Sequence, residues 1–280
     1  MNCGSTATTD RNGRRTRPDD TLSGVAPATT ASADRVNDKV YIHEFIDIIG
    51  HNRARYMHHM TANWCPVARE ERDQLCFGVW GTVGSTGRWP EVVNMWELDG
   101  WDGLVRNFEH EFTHSTLQDP SLAEWWAVAS TLRRGGVDRI VVPEPWTRPI
   151  NELCAAGVRG EVYAHELVKV PIGAAPQFLA ALREVGVSRM NELGAELVGA
   201  FRVAMVNDSE CIVIWALPDW PTWAAIEEAW LSVGPLDEWR DVTVGIGADW
   251  QRSLLVEAPL SPLRTGRQPQ VEDRRPLSEL

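Results

Sequence analysis

Hydrophobic and polar residues alternate one by one between Val40 and Ile48, a period of two that predicts a β-strand. Across residues 51–72 apolar side chains recur at every third or fourth position instead, which predicts one face of a helix. The same two periods predict the elements that follow: strands at 75–84 and 91–98, helical stretches at 101–112 and 121–134, and a short strand at 140–142. Gly135-Gly136 is predicted to end the second helical stretch. The resulting order, β-α-β-β-α-β, is that of a ferredoxin-like fold.

This pattern occurs a second time along the chain. Val40-Tyr41-Ile42-His43-Glu44 is matched by Val162-Tyr163-Ala164-His165-Glu166, and further matches follow in the same order. They are Gly78 with Gly199, Trp96-Glu97-Leu98 with Trp215-Ala216-Leu217, Leu122 with Leu236, and Ile140-Val141-Val142 with Leu254-Leu255-Val256. Chance does not explain so many matches in one order, so the sequence predicts a tandem duplication of a domain-sized unit.

The predicted fold is α+β, with two fused ferredoxin-like repeats at residues 39–150 and 159–264. Each repeat would have helices on only one face of its sheet, and the free faces of two such sheets can cover each other. The two repeats then form a pseudo-dimeric α/β barrel within one chain. Residues 1–38 and 265–280 are rich in Thr, Ser, Pro, Asp and Arg, and they are predicted to be disordered tails.

Composition narrows the range of partners. The chain has 27 Lys and Arg residues against 39 Asp and Glu, and this net charge of −12 disfavours binding to nucleic acid. No apolar run reaches the roughly 18 residues that a membrane span requires. The five cysteines are irregularly spaced, which is not typical of a disulfide framework. We therefore expect a cytoplasmic protein without a membrane span.

The repeated motifs resemble a known superfamily. The opening strand with His-Glu, the hairpin with Gly78-x-Trp80, and Trp96-Glu97-Leu98 followed by Trp101 resemble the dimeric α/β-barrel proteins. Both repeats look like NIPSNAP-type domains in tandem. The resemblance implies the barrel fold and is compatible with a homodimer. It does not choose a function, because this superfamily includes cofactor-free monooxygenases, isomerases, cyclases, haem enzymes and members without known chemistry.

Four residues of the repeated strand are candidates for acid/base chemistry. Alternation places Glu44 and Glu166 on the face that packs under the helices, where a carboxylate must be paired or have a raised pKa. His43 and His165 point to the opposite side, into the barrel, and imidazoles move protons near neutral pH. The competing interpretation is structural: buried hydrogen bonds for the glutamates, and space-filling for the histidines.

Aromatic residues indicate a ligand pocket. The chain contains 14 tryptophans, more than a core alone would use, and an aromatic lining suits a flat apolar molecule. The predicted pocket residues are Tyr41, Trp80, Trp96 and Tyr163. We expect the pocket to lie between the sheet and the helices of the first repeat, with Glu44 on its wall, because this repeat also holds most of the histidines.

Two histidine motifs raise the question of a metal. His110-Glu111-Phe112-Thr113-His114 matches the His-Glu-x-x-His pattern of zinc hydrolases. Polar residues follow it where helix residues are expected, and no clear third ligand succeeds it, so we predict no catalytic metal here. His58-His59 could bind a metal or haem iron, although a packing role fits their helical position better.

The leading interpretation is an enzyme that acts on a small hydrophobic organic molecule without a dedicated cofactor. Isomerisation, cyclisation, dehydration or cofactor-free oxygenation would suit the candidate residues. One alternative is a non-catalytic binding or scaffold protein of the NIPSNAP type, with a small apolar ligand as its partner. The other is a metal-dependent hydrolase that uses His110 and His114.

Overall fold

The computed structural model describes residues 36–280, so the predicted N-terminal tail lies outside the described residues except for its last positions, 36–38. Among the described residues, eight antiparallel strands close into a barrel. The strands are β1 (Val40–Ile48), β2 (Leu75–Thr82), β3 (Glu91–Leu98), β4 (Arg133–Pro143), β5 (Val162–Lys169), β6 (Glu196–Val203), β7 (Glu210–Leu217) and β8 (Asp249–Glu257).

The strand order around the barrel is β1-β3-β2-β8-β5-β7-β6-β4. It divides into two halves of identical order, β4-β1-β3-β2 and β8-β5-β7-β6. The halves join at two short seams, where β2 pairs with β8 and β4 pairs with β6. The fold is therefore α+β with a closed barrel, as the sequence predicts.

Helices pack against the outer surface of the barrel and, in the case of two short ones, against its interior core. They are α1 (Arg53–His58), α2 (Cys65–Arg72), α3 (Gly100–Phe112), α4 (Pro120–Leu132), α5 (Ile150–Ala155), α6 (Ala175–Ala181), α7 (Val187–Glu192), α8 (Trp220–Leu231), α9 (Asp237–Ile246) and α10 (Pro262–Thr265). A π-helical turn joins α1 to α2, and another joins α6 to α7. We call β1–β4 with α1–α4 the first half, and β5–β8 with α6–α9 the second half. No helix in residues 36–280 is long and apolar enough to cross a membrane.

Alternation along the strands creates three hydrophobic cores. On β1, Val40 and Ile46 pack under the helices of the first half, while Tyr41 points into the barrel. On β5, Val162 and Ala164 pack under the helices of the second half, and Tyr163 points inward. The barrel interior is thus a packed core of its own, separate from the two layers between sheet and helices.

Two predictions about the ends of elements are corrected. Gly135-Gly136 does not end a helix but lies inside β4, which begins at Arg133. Gly136 has to be a glycine there, because a Cβ atom would lie only 2.2 Å from the carbonyl oxygen of Phe45 on β1.

The C-terminal segment is the second correction. Residues 265–280, predicted to be a disordered tail, pack along the first half and contain short 3-10 helices at Val271–Asp273 and Leu277–Glu279. The side chain of Gln268 accepts a hydrogen bond from the backbone N–H of Cys76 (2.9 Å) and donates one to its carbonyl oxygen (2.8 Å). Leu277 packs against the first-half core. This polar segment is ordered because side chains form hydrogen bonds with its backbone groups and with those of β2.

Candidate functional site

A cavity of about 480 Å³ lies between the sheet of the first half and its helices. Much of its wall is aromatic, formed by Trp64, Trp96, Phe108, Trp125 and Trp126. Its charged lining residues are Glu44, Arg72, Glu111, Arg133, Asp138 and Arg139. Apolar walls with a few convergent polar groups are typical of sites for small organic ligands.

Glu44, on β1, is the lining residue best suited to move a proton. Its Oε2 atom accepts hydrogen bonds from the side-chain amide of Asn94 (3.0 Å) and from the indole N–H of Trp96 (3.0 Å). Burial raises the pKa of the Glu44 carboxyl group, the nearby charge of Asp138 raises it further, and the two hydrogen bonds oppose the shift. A raised pKa makes a carboxylate a stronger base, which suits it to proton transfer.

Glu166, the counterpart of Glu44 on β5, is bound differently. Its Oε1 atom accepts hydrogen bonds from Arg252 at 2.7 and 2.9 Å, and its Oε2 atom accepts one from the indole of Trp215 at 3.1 Å. Arg252 also pairs with Glu227 at 2.7 Å. Glu166 therefore does not fit the acid/base role predicted for it, because both oxygens are occupied and a guanidinium holds its negative charge.

The register of the sheet explains why the two glutamates differ. Glu44 faces Asp138 across the β1–β4 pair, whereas Glu166 faces Arg252 across the equivalent β5–β8 pair. Directly opposite side chains on neighbouring strands interact, so Asp138 repels a charge on Glu44 where Arg252 attracts one on Glu166.

The two halves also differ in the residue that faces an equivalent position of β1 and β5. Gly136 on β4 faces Ile46 on β1, whereas Trp250 on β8 faces Val168 on β5. The Trp250 ring lies 5.4 to 5.9 Å from three other aromatic rings, those of Phe178, Trp230 and Trp239. Trp250 thus packs against the core between sheet and helices of the second half, at a position that has no side chain in the first.

Polar atoms near the cavity lack partners among the described residues. They include Oδ1 of Asn94, Nε of Arg133 and Nη1 of Arg139, all buried. The Arg133 guanidinium lies 4.9 Å from the ring centre of Trp126, and Arg139 pairs with Glu210 at 3.0 Å. Buried polar atoms without partners cost folding free energy, so a ligand with hydrogen-bonding groups would be stabilised here.

At the other end of the cavity, Arg72 collects polar partners. It pairs with Glu111 (3.3 Å) and with Asp119, and it donates to the side chain of Asn107 (3.3 Å). Asp119 also caps α4 by accepting from the backbone N–H of Leu122 (3.0 Å). This cluster fixes the helices that form the cavity wall.

His43 and His165 meet inside the barrel. Their Nε2 atoms are 2.9 Å apart and share a hydrogen bond, and both residues are buried. Burial and the charge of Arg139 lower the pKa of His165 to about 4, and burial lowers that of His43 well below its usual value. The pair lies away from Glu44, so the structure does not bring the four predicted acid/base residues into one site.

Three of the four predicted pocket residues do not line this cavity. Tyr41, Trp80 and Tyr163 are fully buried in the barrel core. The Tyr41 hydroxyl donates to Glu97 (2.9 Å), and the Tyr163 hydroxyl donates to Glu257 (2.8 Å). They fill the barrel because alternation on β1, β2 and β5 turns them inward. Only Trp96 lines the cavity.

The histidine motifs also have structural roles. His110 lies in the last turn of α3, which ends at Phe112, and His114 lies just beyond the helix, with the two ring centres 6.2 Å apart. His59 stacks on Trp125, with ring centres 5.1 Å apart, and binds its carbonyl oxygen through Nε2 (3.1 Å). His58 accepts the backbone N–H of Arg275 (3.1 Å).

One group within residues 36–280 has side-chain atoms spaced for a metal ion: those of Glu71, His110 and Asp119 lie within 4.8 Å of one another. Asp119 already pairs with Arg72 and caps α4. A cation would therefore compete with a guanidinium for the same carboxylate.

Sequence reasoning missed several lining residues, among them Arg72, Asn107, Arg133 and Asp138. A comparison of the two repeats in register would have found some of them. Asp138 stands where the second repeat has Arg252, and Asn94 stands where it has Val213. Where equivalent positions of the two repeats differ in charge or polarity, one of the repeats has replaced a residue that has a structural role in the other.

Comparisons with known proteins support the fold. No known protein family and no curated protein matches this sequence. A candidate monooxygenase from Lactobacillus acidophilus NCFM is 11% identical, with a TM-score of 0.52, over 79% of this chain and 97% of that one. A second, from Fusobacterium nucleatum subsp. nucleatum, is 10% identical, with a TM-score of 0.49, over 80% and 94%. An anthrone oxidase-like protein is 12% identical, with a TM-score of 0.49, over 79% and 92%.

The chain has the same fold as the Lactobacillus acidophilus structure. At such low identity the likeness concerns the fold alone, and the function has to be argued from the site.

Proposed function

We propose that this protein is an enzyme that binds a small, largely apolar organic molecule in the first-half cavity and moves a proton with Glu44. The observation that carries the proposal is the contrast between two equivalent glutamates. Glu166 is held by Arg252, whereas Glu44 lines a cavity, faces Asp138 and has a raised pKa. A raised pKa in an aromatic cavity is typical of a general acid or base.

The rest of the cavity suits an enolisable or hydroxylated aromatic molecule. The aromatic walls would bind its rings, and Glu44 would take a proton from a carbon next to a carbonyl group, or from a hydroxyl. The guanidinium groups of Arg133 and Arg139 would stabilise negative charge on the oxygen. Isomerisation, cyclisation, dehydration and oxygenation without a cofactor can all begin with this step.

Hydrogen–deuterium exchange of 2-tetralone, a bicyclic ketone, tests the proposal. In D2O, Glu44 would take a proton from the carbon next to the carbonyl, and the resulting enolate would take up a deuteron. We expect Glu44→Gln to slow exchange by about 10²–10⁴, the range for loss of a general acid or base. Glu166→Gln is the matched control: it keeps the hydrogen bond from Trp215 and should leave the exchange rate unchanged.

Two further measurements define the result. Ile42 lines the cavity, so an Ile42→Trp variant should block it and abolish exchange. Equal exchange rates in Glu44→Gln and the unmodified protein would remove Glu44 from the reaction. Binding of 2-tetralone without any exchange would favour the alternative, a non-catalytic binding protein, which the aromatic lining also supports.

We also propose that the two halves arose by tandem duplication, with boundaries near residues 39–150 and 159–264. The repeated motifs, the identical strand order and the two glutamate–tryptophan pairs support this origin. The assignment of each half to NIPSNAP-type domains rests on the sequence motifs. The metal-dependent hydrolase is not proposed further, because the group with metal-ligand spacing among residues 36–280 is Glu71, His110 and Asp119 and does not include His114.

A further inference from the structure

The turn between β6 and β7, residues 204–209, reaches across from the second half to the cavity of the first. The β4–β6 seam brings it there, and the backbone N–H of Ala204 donates to the carbonyl oxygen of Ile140 (2.8 Å). Ile140 and Met205 are both lining residues of the cavity. The cavity wall therefore includes a side chain from each half of the barrel.

This turn has an unfavourable backbone conformation. Met205 and Val206 have φ values of +62° and +64°, in the left-handed region. L-residues are uncommon in that region because the Cβ atom crowds the following carbonyl oxygen, and a β-branched residue such as valine is rarely found there. Asn or Gly would adopt it with little strain. The chain instead places two large apolar side chains there, 76% and 103% exposed.

Neighbouring groups hold the turn in this conformation. The Asn207 side chain accepts the backbone N–H of Ser209 (3.0 Å) and donates to Glu210 (3.3 Å). Glu210 pairs with Arg139, which itself lines the cavity. A strained conformation persists only where the surrounding structure determines it, and here that structure is the cavity wall.

The corresponding turn of the first half lies between β2 and β3. Val83, which follows β2, packs against the core between sheet and helices of the second half. Its backbone N–H donates to the carbonyl oxygen of Leu254 (2.8 Å). Ala204, the counterpart of Val83, makes the equivalent backbone bond, so both turns dock in the same way at this position. They differ one residue later, where Met205 lines the cavity and is largely exposed.

We infer that the Met205–Val206 turn is the cover of the cavity and that Met205 sets its specificity for aromatic ligands. A bound ring would bury the Met205 thioether, and water would be excluded from Glu44. Methionine suits this role, since its flexible side chain and polarisable sulfur pack well against aromatic rings. The inference rests on the proposed function in one respect: it requires that the cavity bind a ligand.

The test combines folding stability with binding of 2-naphthol, a planar aromatic alcohol whose fluorescence reports its environment. In a Met205→Asn/Val206→Gly double variant, both residues tolerate the left-handed region. We expect a higher urea midpoint of unfolding, because the backbone strain is relieved. We also expect about tenfold weaker binding of 2-naphthol, because the bound ring loses its contact with the Met205 side chain. Stability and affinity should move in opposite directions.

Two controls separate the cover from general effects. Met205→Leu keeps an apolar side chain in the same backbone conformation, so affinity should stay within about twofold. Ser85 also has a positive φ (+72°) but lies in the turn of the other half, so Ser85→Gly should raise stability and leave binding unchanged.

The outcomes are distinct. A double variant that gains stability but binds 2-naphthol as tightly as the unmodified protein would overturn the cover, while leaving the proposed function in place. A double variant that loses stability would overturn the strain argument. If the unmodified protein fails to bind 2-naphthol, the proposed cavity function falls, and the cover falls with it.

Discussion

Glu44 and Glu166 show how a single neighbouring residue determines the chemistry of a carboxyl group. Both lie on equivalent strands, and each accepts a hydrogen bond from a tryptophan indole. They differ in the cross-strand residue, which is Asp138 for one and Arg252 for the other. Burial and the charge of Asp138 raise the pKa of Glu44, whereas Arg252 pairs with Glu166, so the cross-strand residue distinguishes the two carboxyl groups.

An arginine opposite Glu44 should give this carboxyl group the same kind of environment as Glu166. Asp138→Arg should lower the pKa of Glu44, because a guanidinium favours the charged carboxylate. NMR titration of carbon-13-labelled glutamate side chains would measure the change. Asp102→Arg, on the exposed face of α3, alters the net charge equally and should leave the Glu44 pKa unchanged. An unchanged pKa in Asp138→Arg would show that the cross-strand charge is not the cause.

Glu91, at the start of β3, gives a second prediction at the residue scale. Burial raises its pKa to about 7, above the value of about 4.3 for an unfolded chain. Between these values the folded protein binds more protons than the unfolded chain, so stability should fall as pH rises from about 4.5 to 7. Glu91→Gln should therefore be more stable at pH 8 by about 2–3 kcal/mol, and unchanged at pH 4.

Urea unfolding at both pH values measures this difference. Glu109→Gln on α3 is the control, since Glu109 is exposed and should give no pH-dependent change. Equal stabilisation of Glu91→Gln at pH 4 and pH 8 would contradict a titration of Glu91.

At the scale of elements, periodicity predicted most strands and helices, and it failed where contacts outside the element decide. The alternation of β1 and the helical spacing of 51–72 are local signals, and both elements are present. Gly135-Gly136 is a helix stop by local rules, yet Gly136 continues a strand because β1 passes too close for any side chain. The placement of Tyr41 and Trp80 in the barrel rather than in a pocket likewise depends on closure of the whole sheet.

The C-terminal segment provides a prediction at this scale. Gln268 satisfies both backbone groups of Cys76, next to the point where the β2–β3 register shifts. Gln268→Ala should lower the free energy of unfolding by about 1–3 kcal/mol, because these backbone groups would lose their partners. Gln251→Ala, at an exposed position of β8, should change it by less than about 0.5 kcal/mol. Equal effects would show that the two hydrogen bonds between Gln268 and Cys76 contribute nothing to stability.

At the scale of the whole molecule, the hydrogen bond between His43 and His165 connects β1 of one half with β5 of the other. The pKa of His165, about 4, lies below the value of about 6.5 for an unfolded chain. As pH falls from 6.5 to 4, the unfolded chain binds protons that the folded protein does not, so stability should fall. The loss from His165 alone should reach about 3 kcal/mol at pH 4.

A His43→Phe/His165→Phe double variant checks this prediction, because it removes both imidazoles and keeps ring-shaped side chains in the barrel. Its free energy of unfolding should vary less between pH 6.5 and pH 4 than that of the unmodified protein. An identical pH dependence would place the acid sensitivity elsewhere.

The covalent link between the two halves has a consequence for how such a molecule can change. In a barrel built from two identical chains, every substitution appears on both sides of the symmetry axis. In such a dimer, a change from arginine to aspartate at the position opposite the glutamate would occur in both chains. Both glutamates would then lose the arginine that pairs with them. In a single chain one half can keep Arg252 and Trp250 while the other acquires Asp138 and Gly136. The first-half cavity should therefore saturate at one equivalent of ligand per chain.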